Sequence, residues 1–174
     1  MALYLIELTP ANASKDEATA LIETVSNSLS EGAELIETQV SADHKLIFAI
    51  IESENTAFAP ALTAAIGERA SVVGPDEVRL GGAELDDIKK LKKDADYLVE
   101  WDIPAEITME QYLTRKKANA PKYAEVPEVS FLRTYVREDT AKCLCFYDAP
   151  DEDAVLRARK AVSTPIDRLF KLHA

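Results

Sequence analysis

The feature that most constrains this chain is that its pattern starts twice. Tyr4-Leu5-Ile6-Glu7 opens the first half and Tyr97-Leu98-Val99-Glu100 opens the second, and each apolar, β-forming run stops at a proline, Pro10 or Pro104. Ser14-Lys15-Asp16-Glu17 and Thr108-Met109-Glu110-Gln111 then stand at the same place in the two halves. Both have the form in which a hydroxyl and a side chain three residues on satisfy the free amides of a helix start. Thr38-Gln39-Val40 is echoed by Thr134-Tyr135-Val136, and Pro75 and Pro165 each precede a last short strand.

Between these marks the periodicities alternate. Leu3–Leu8 reads as a strand, and Ala18, Leu21, Ile22, Val25 and Leu29 fall at helical spacing, with Gly32 as a stop. Leu35–Val40 and Lys45–Ile51 read as paired strands. Phe58, Leu62, Ala65 and Ile66 share a helical face, with Pro60 forcing a late start. Glu77–Leu80 reads as the last strand of this half. Gly81-Gly82 breaks the chain, and residues 84–93 read as a linker helix with its acids first and its lysines last. The second half repeats the order: Tyr97–Glu100, a helix carrying Met109, Tyr112, Leu113 and Lys116 on one face, strands Val129–Val136 and Lys142–Tyr147, a helix capped by Asp151, and a strand Arg168–Leu172.

The order strand, helix, strand, strand, helix, strand is the ferredoxin-like unit. The expected fold is α+β, two tandem ferredoxin-like βαββαβ units packed sheet to sheet as a pseudo-dimer within one chain. The expected divisions are a divergent first half at 1–82, a linker helix at 83–94 and a second half at 95–174.

Composition narrows the partners. With 31 acidic against 20 basic residues the net charge is −11, which disfavours nucleic acid. RNA-binding modules share the topology, but Lys142-Cys143-Leu144-Cys145 lacks their Lys/Arg-Gly-aromatic strand. No apolar run reaches the ~20 residues of a membrane span. The N-terminus has no basic segment before Glu7. Two cysteines at i and i+2 are a poor disulfide framework, so a reducing, cytoplasmic setting is expected.

In the second half Tyr97-Leu98-Val99-Glu100-Trp101-Asp102-Ile103-Pro104, Thr134-Tyr135-Val136, Cys143-Leu144-Cys145-Phe146-Tyr147-Asp148-Ala149-Pro150-Asp151-Glu152 and Pro165-Ile166-Asp167-Arg168 occur in order. Over about residues 95–172 this resembles a small bacterial family of nickel-responsive, nickel-binding-protein-like domains. The resemblance implies a ferredoxin-like fold, subunits paired through their sheets, and divalent metal. In that family the helix after Ala-Pro-Asp/Asn-Glu commonly carries a His, and here Ala158 stands at that position.

Three groups are candidates for chemistry. Cys143 and Cys145 offer soft ligands, against the ordinary reading of buried, inert thiols. Glu100 lies in an apolar strand where a carboxylate needs a partner, for which Arg133 and Arg168 are available, and Asp102 shares its strand face. The aromatics Tyr97, Trp101, Phe131, Tyr135, Phe146 and Tyr147 are expected to be core, with a pocket wall as the alternative. The metal set is therefore Glu100, Cys143 and Cys145, and the ligand set is Glu100, Asp102, Arg133, Tyr135 and Tyr147. If the thiols and Tyr147 face the space between the sheets, they line one pocket. His44 and His173 read as exposed bystanders, and Arg115-Lys116-Lys117 as a solvated helix face. The leading expectation is a small binding protein for a divalent metal such as nickel, or for a small ligand between the two sheets. A cofactorless isomerase or monooxygenase-like enzyme of the dimeric α+β barrel type and a non-catalytic interaction protein are the alternatives. A homodimer is compatible with each.

Overall fold

The computed structural model describes residues 1–91 and 93–172; Lys92, His173 and Ala174 lie outside the described residues. The chain divides into two compact units. Described residues 1–78 with 85–91 form the first, and 79–84 with 93–172 the second.

In the first unit β1 (Ala2–Pro10) is followed by α1 (Lys15–Ser28), β2 (Glu34–Val40), β3 (Ile47–Ser53), α2 (Ala59–Ile66) and β4 (Ala70–Gly81), whose residues from Arg79 on belong to the second unit. The strands lie in the order β2-β3-β1-β4, all pairs antiparallel. The inner strand face alternates as the sequence does: Tyr4, Ile6 and Leu8 of β1 and Ile47, Ala49 and Ile51 of β3 pack against Ala18, Leu21 and Val25 of α1 and Leu62 and Ile66 of α2. The Ser14 hydroxyl accepts from the Glu17 amide, capping α1. The Glu17 carboxylate does not return to Ser14 but accepts from Arg69, so only half of the expected capping box forms. Pro60 sits in the first turn of α2, where its missing amide costs nothing.

Strand β4 differs most from expectation. It begins at Ala70 rather than Glu77 and carries Pro75 inside it. The register against β1 shifts between Leu5 and Glu7, and Gly74 at φ +104° absorbs the shift, so the proline falls where no ladder amide is needed. The linker helix α3 (Leu85–Lys89) is shorter than expected and belongs to the first unit: Ile88 is buried, and Lys89 pairs with Glu34 and Glu52.

The second unit runs β5 (Tyr97–Asp102), α4 (Met109–Asn119), a 3-10 turn Ala120–Glu125 entered through Pro121, β6 (Ser130–Arg137), β7 (Lys142–Asp148), α5 (Glu152–Ala161) and β8 (Arg168–Lys171). Its strand order is β6-β7-β5-β8, again antiparallel. Both units therefore have the ferredoxin-like order, with the first and third strands central. Here the capping box is complete: Thr108 accepts from Gln111 N and Gln111 accepts from Thr108 N. Asp151 caps α5 by accepting from Ala154 N.

Candidate functional site

Strand parity sorts the candidate residues onto two faces of the second sheet. On β5 and β7 the residues Val99, Trp101, Cys143, Cys145 and Tyr147 face α4 and α5, packing with Tyr112, Ala154, Val155 and Ala158. Glu100 stands opposite Leu144, and so does Tyr135, while Arg133 stands opposite Phe146. Glu100, Asp102, Arg133 and Tyr135 therefore lie on the other face, and Tyr147 alone of the expected ligand set joins the thiols. Cys143, Cys145 and Tyr147 look toward the helices, and of the three only Cys143 lines the cavity under α4 and α5. Glu100 and the two sulfurs do not converge on a common ion. Among the described residues no three of His, Cys, Asp and Glu do.

The carboxylate face is a saturated ion-pair network. Glu100, 3% exposed, accepts from Lys142 Nζ at 3.2 Å and from Arg168 Nε. Arg168 reaches on to both oxygens of Asp102, and Asp167 accepts from the Asp102 amide at 2.6 Å. Hydrogen bonding from Arg168 holds the Asp102 carboxyl below its ordinary pKa, against a small opposing effect of burial. A depressed folded-state pKa gives stability that is complete above the unfolded value of about 3.9 and is lost as pH falls through the folded value. Asp102→Asn is therefore expected to flatten the loss of stability below about pH 4, read as urea midpoint against pH. An unchanged acid slope would show that the pair contributes nothing.

The helix-covered face is different, because its polar groups are not saturated. Cys145 is fully buried, with Lys116 Nζ at 3.5 Å, Thr134 Oγ1 at 3.2 Å and Cys143 Sγ at 3.9 Å. The Thr134 hydroxyl also lies 2.9 Å from the Leu144 carbonyl, so its one proton serves one acceptor at a time. The hydrogen bond shared with Cys143, then Lys116 and Arg159, lowers the Cys145 pKa well below that of an ordinary thiol despite burial. The same hydrogen bond and burial raise that of Cys143. Both directions have the Cys143–Cys145 contact as their first cause.

Arg159 is 1% exposed. Its Nη1 donates to Tyr147 OH at 3.0 Å and its Nη2 to the Pro165 carbonyl at 2.6 Å, while its Nε has no partner. Tyr147 OH lies 2.6 Å from Tyr123 OH, and burial raises the pKa of both phenols. The buried Tyr112 hydroxyl is likewise without a partner. A small cavity of about 20 Å³, room for one small polar group, is lined by Trp101, Tyr112, Arg115, Lys116, Cys143, Arg159 and Thr164. Arg115 lies over the Trp101 ring at 5.4 Å and donates to the Ser163 carbonyl. Lys116 lies 4.6 Å from the Phe131 ring centroid. Among the described residues none of these three cations has a carboxylate partner.

Of the run expected to be a solvated face, Lys117 is exposed while Arg115 and Lys116 are half-buried against the cavity, and Arg159, which was given no role, is buried under α5. The signal was present in the helix periods. Lys116 is at i+4 from Tyr112, and Arg159 is at i+4 from Val155 beside Ala158, so each cation sits on its helix's apolar stripe. The expected aromatics are all half-buried or buried, and they divide between the two faces of the sheet.

Solved structures similar over nearly the whole chain share this fold. A chlorite dismutase candidate matches at TM-score 0.56 and 15% identity, covering 100% of this chain and 96% of its own. A monooxygenase candidate from Fusobacterium nucleatum subsp. nucleatum ATCC 25586 matches at 0.55 and 12%, covering 98% and 90%. An anthrone oxidase-like protein matches at 0.51 and 14%, covering 98% and 89%. No curated protein matches the chain. No helix among the described residues is long and apolar enough to cross a membrane. Over residues 97–172, the body of the second unit, the chain matches the family of nickel responsive, SCO4226-like proteins.

Proposed function

We propose that this chain is a binding protein for a small anionic molecule, held by the cations under α4 and α5 of the second unit. The observation that carries this reading is the set Arg115, Lys116 and Arg159, which line one cavity of a protein of net charge −11 without a carboxylate partner among the described residues. Arg159 is the buried one of the three and Arg115 and Lys116 are half-buried; burying a cation without an anion is costly, and the cost is tolerated where a ligand completes the pair.

The first unit is an internal control. Its helix-covered core has the same architecture and is apolar throughout, with Ile47, Ala49 and Ile51 on the third strand where the second unit has Cys143, Cys145 and Tyr147. Among its described residues no charged side chain is buried. The fold therefore does not require the cations, which supports a ligand as their reason.

Nickel is the reading that the family description favours, and the two thiols are soft donors suited to it. The remaining donors do not fit. Among the described residues no imidazole or carboxylate joins the two thiols in a metal-sized group, Ala158 supplies nothing, and the charged groups acting on Cys145 are the cations Lys116 and Arg159. Calorimetric titration of the full chain with sodium butanoate and with nickel chloride separates the two. The anion reading expects saturable butanoate binding that weakens with added salt, and no stoichiometric nickel. Stoichiometric nickel lost on Cys143→Ala, with no response to butanoate, would overturn it.

A further inference from the structure

A second cavity of about 250 Å³ shares Lys116 as a wall and is lined wholly by the second unit. Its walls are Leu80, Leu113, Ala120, Phe131 and Val136, closed by Gly82. Lys116 lines both cavities, so its ammonium stands between a cationic recess and an apolar one. The only other charged walls are Lys117 and Arg79, and Arg79 is engaged by both oxygens of Glu138 at 2.9 Å.

The apolar wall is built as part of the cationic site. Gly82 has φ +82°, and a Cβ there would come within 2.7 Å of the Phe131 ring. Lacking one, it leaves Phe131 stacked on Tyr123 at 5.4 Å and 6°. Tyr123 bonds Tyr147, and Tyr147 bonds Arg159. One chain of contacts therefore runs from the wall of the apolar cavity to the buried guanidinium.

We infer that the ligand is an amphiphilic monoanion, a carboxylate on a linear or aryl tail. Its head is held at Lys116 and the neighbouring arginines, and its tail lies in the cavity of Leu113, Phe131 and Val136. This rests on the anion reading above and adds the tail. A cation at the mouth of an apolar pocket fits a molecule with one charge at one end. A small inorganic anion would leave the apolar walls wet, and a neutral apolar molecule would leave Lys116 and Arg159 uncompensated.

The test is a calorimetric series on the full chain with butanoate, hexanoate and octanoate, and with octanol as the neutral control. Affinity is expected to rise about fourfold per methylene until the cavity is filled, and octanol to bind more weakly than octanoate. Leu113 is on an exposed helix position, 37% accessible, so Leu113→Asp is compatible with folding, which its unfolding midpoint checks. It is expected to weaken octanoate about tenfold more than it weakens butanoate. A flat series in which butanoate still binds overturns the tail and leaves the anion site. Octanol binding as tightly as octanoate, or no binding by any carboxylate, overturns both.

Discussion

Arg159→Met is expected to leave the unliganded protein within about 1 kcal/mol of wild type, or more stable by up to about 2 kcal/mol, while weakening octanoate at least about thirtyfold. The substitution removes a buried charge that has no carboxylate partner and fills its track with an unbranched apolar chain. Two acceptors are left behind, and neither is stranded. Tyr147 OH keeps Tyr123 OH at 2.6 Å, and Pro165 is exposed, so its carbonyl turns to water. A structural arginine behaves in the opposite way, since breaking a compensated buried pair costs roughly 3–5 kcal/mol. Urea unfolding and the octanoate titration, done on the same variant, separate the two roles. A loss of stability above about 3 kcal/mol with unchanged affinity would make Arg159 part of the scaffold. Such a gain in stability on removing a functional group is the usual signature of a site that costs its fold something.

Gly74→Ala is expected to destabilise the first unit by about 3 kcal/mol or more and to lower its melting temperature by more than about 10 °C. Two independent effects add. The backbone at φ +104° lies where side chains are strained, and an added Cβ would overlap the Leu5 carbonyl oxygen, a backbone atom that cannot swing aside. The position is also where the register between β1 and β4 shifts, so relief requires re-pairing of the strands. Gly32, where an added Cβ meets nothing within 4 Å, gives the contrast: Gly32→Ala carries only the φ penalty. Melting followed by circular dichroism checks both, and equal losses at the two glycines would contradict the account of β4.

Element order and topology were legible because they rest on local signals. Capping residues, Pro and Gly punctuation and the two periodicities each act within a few residues, and each recurred in both halves. Where the reading failed, a distant partner had won. Glu17 left its capping role for Arg69, and β4 runs seven residues earlier than expected because Gly74 absorbs Pro75 into a strand that reads as two pieces. The site was half legible. Cys143, Cys145 and Tyr147 were singled out, but Glu100 was grouped with them although odd and even positions of adjacent strands face opposite ways. Fixing which β5 residue faces which β7 residue needs the register, Glu100 against Leu144, and no local pattern supplies it. Arg115 and Lys116 were read as a solvated face and Arg159 was given no role, since a cation in a helix period is usually solvated. Their place on the stripes of Tyr112 and Val155 was the better guide.

The most direct measurement uses Trp101, the single tryptophan of the chain, which lines the cationic cavity beneath Arg115. Its fluorescence is therefore a local reporter of that cavity. Titration of the full chain with octanoate is predicted to change the Trp101 emission saturably, at the affinity found by calorimetry, and to need at least about thirtyfold more octanoate in Arg159→Met. Heat of binding without any response from Trp101, or a response to nickel and to no anion, would contradict the assignment of this cavity to an anionic ligand.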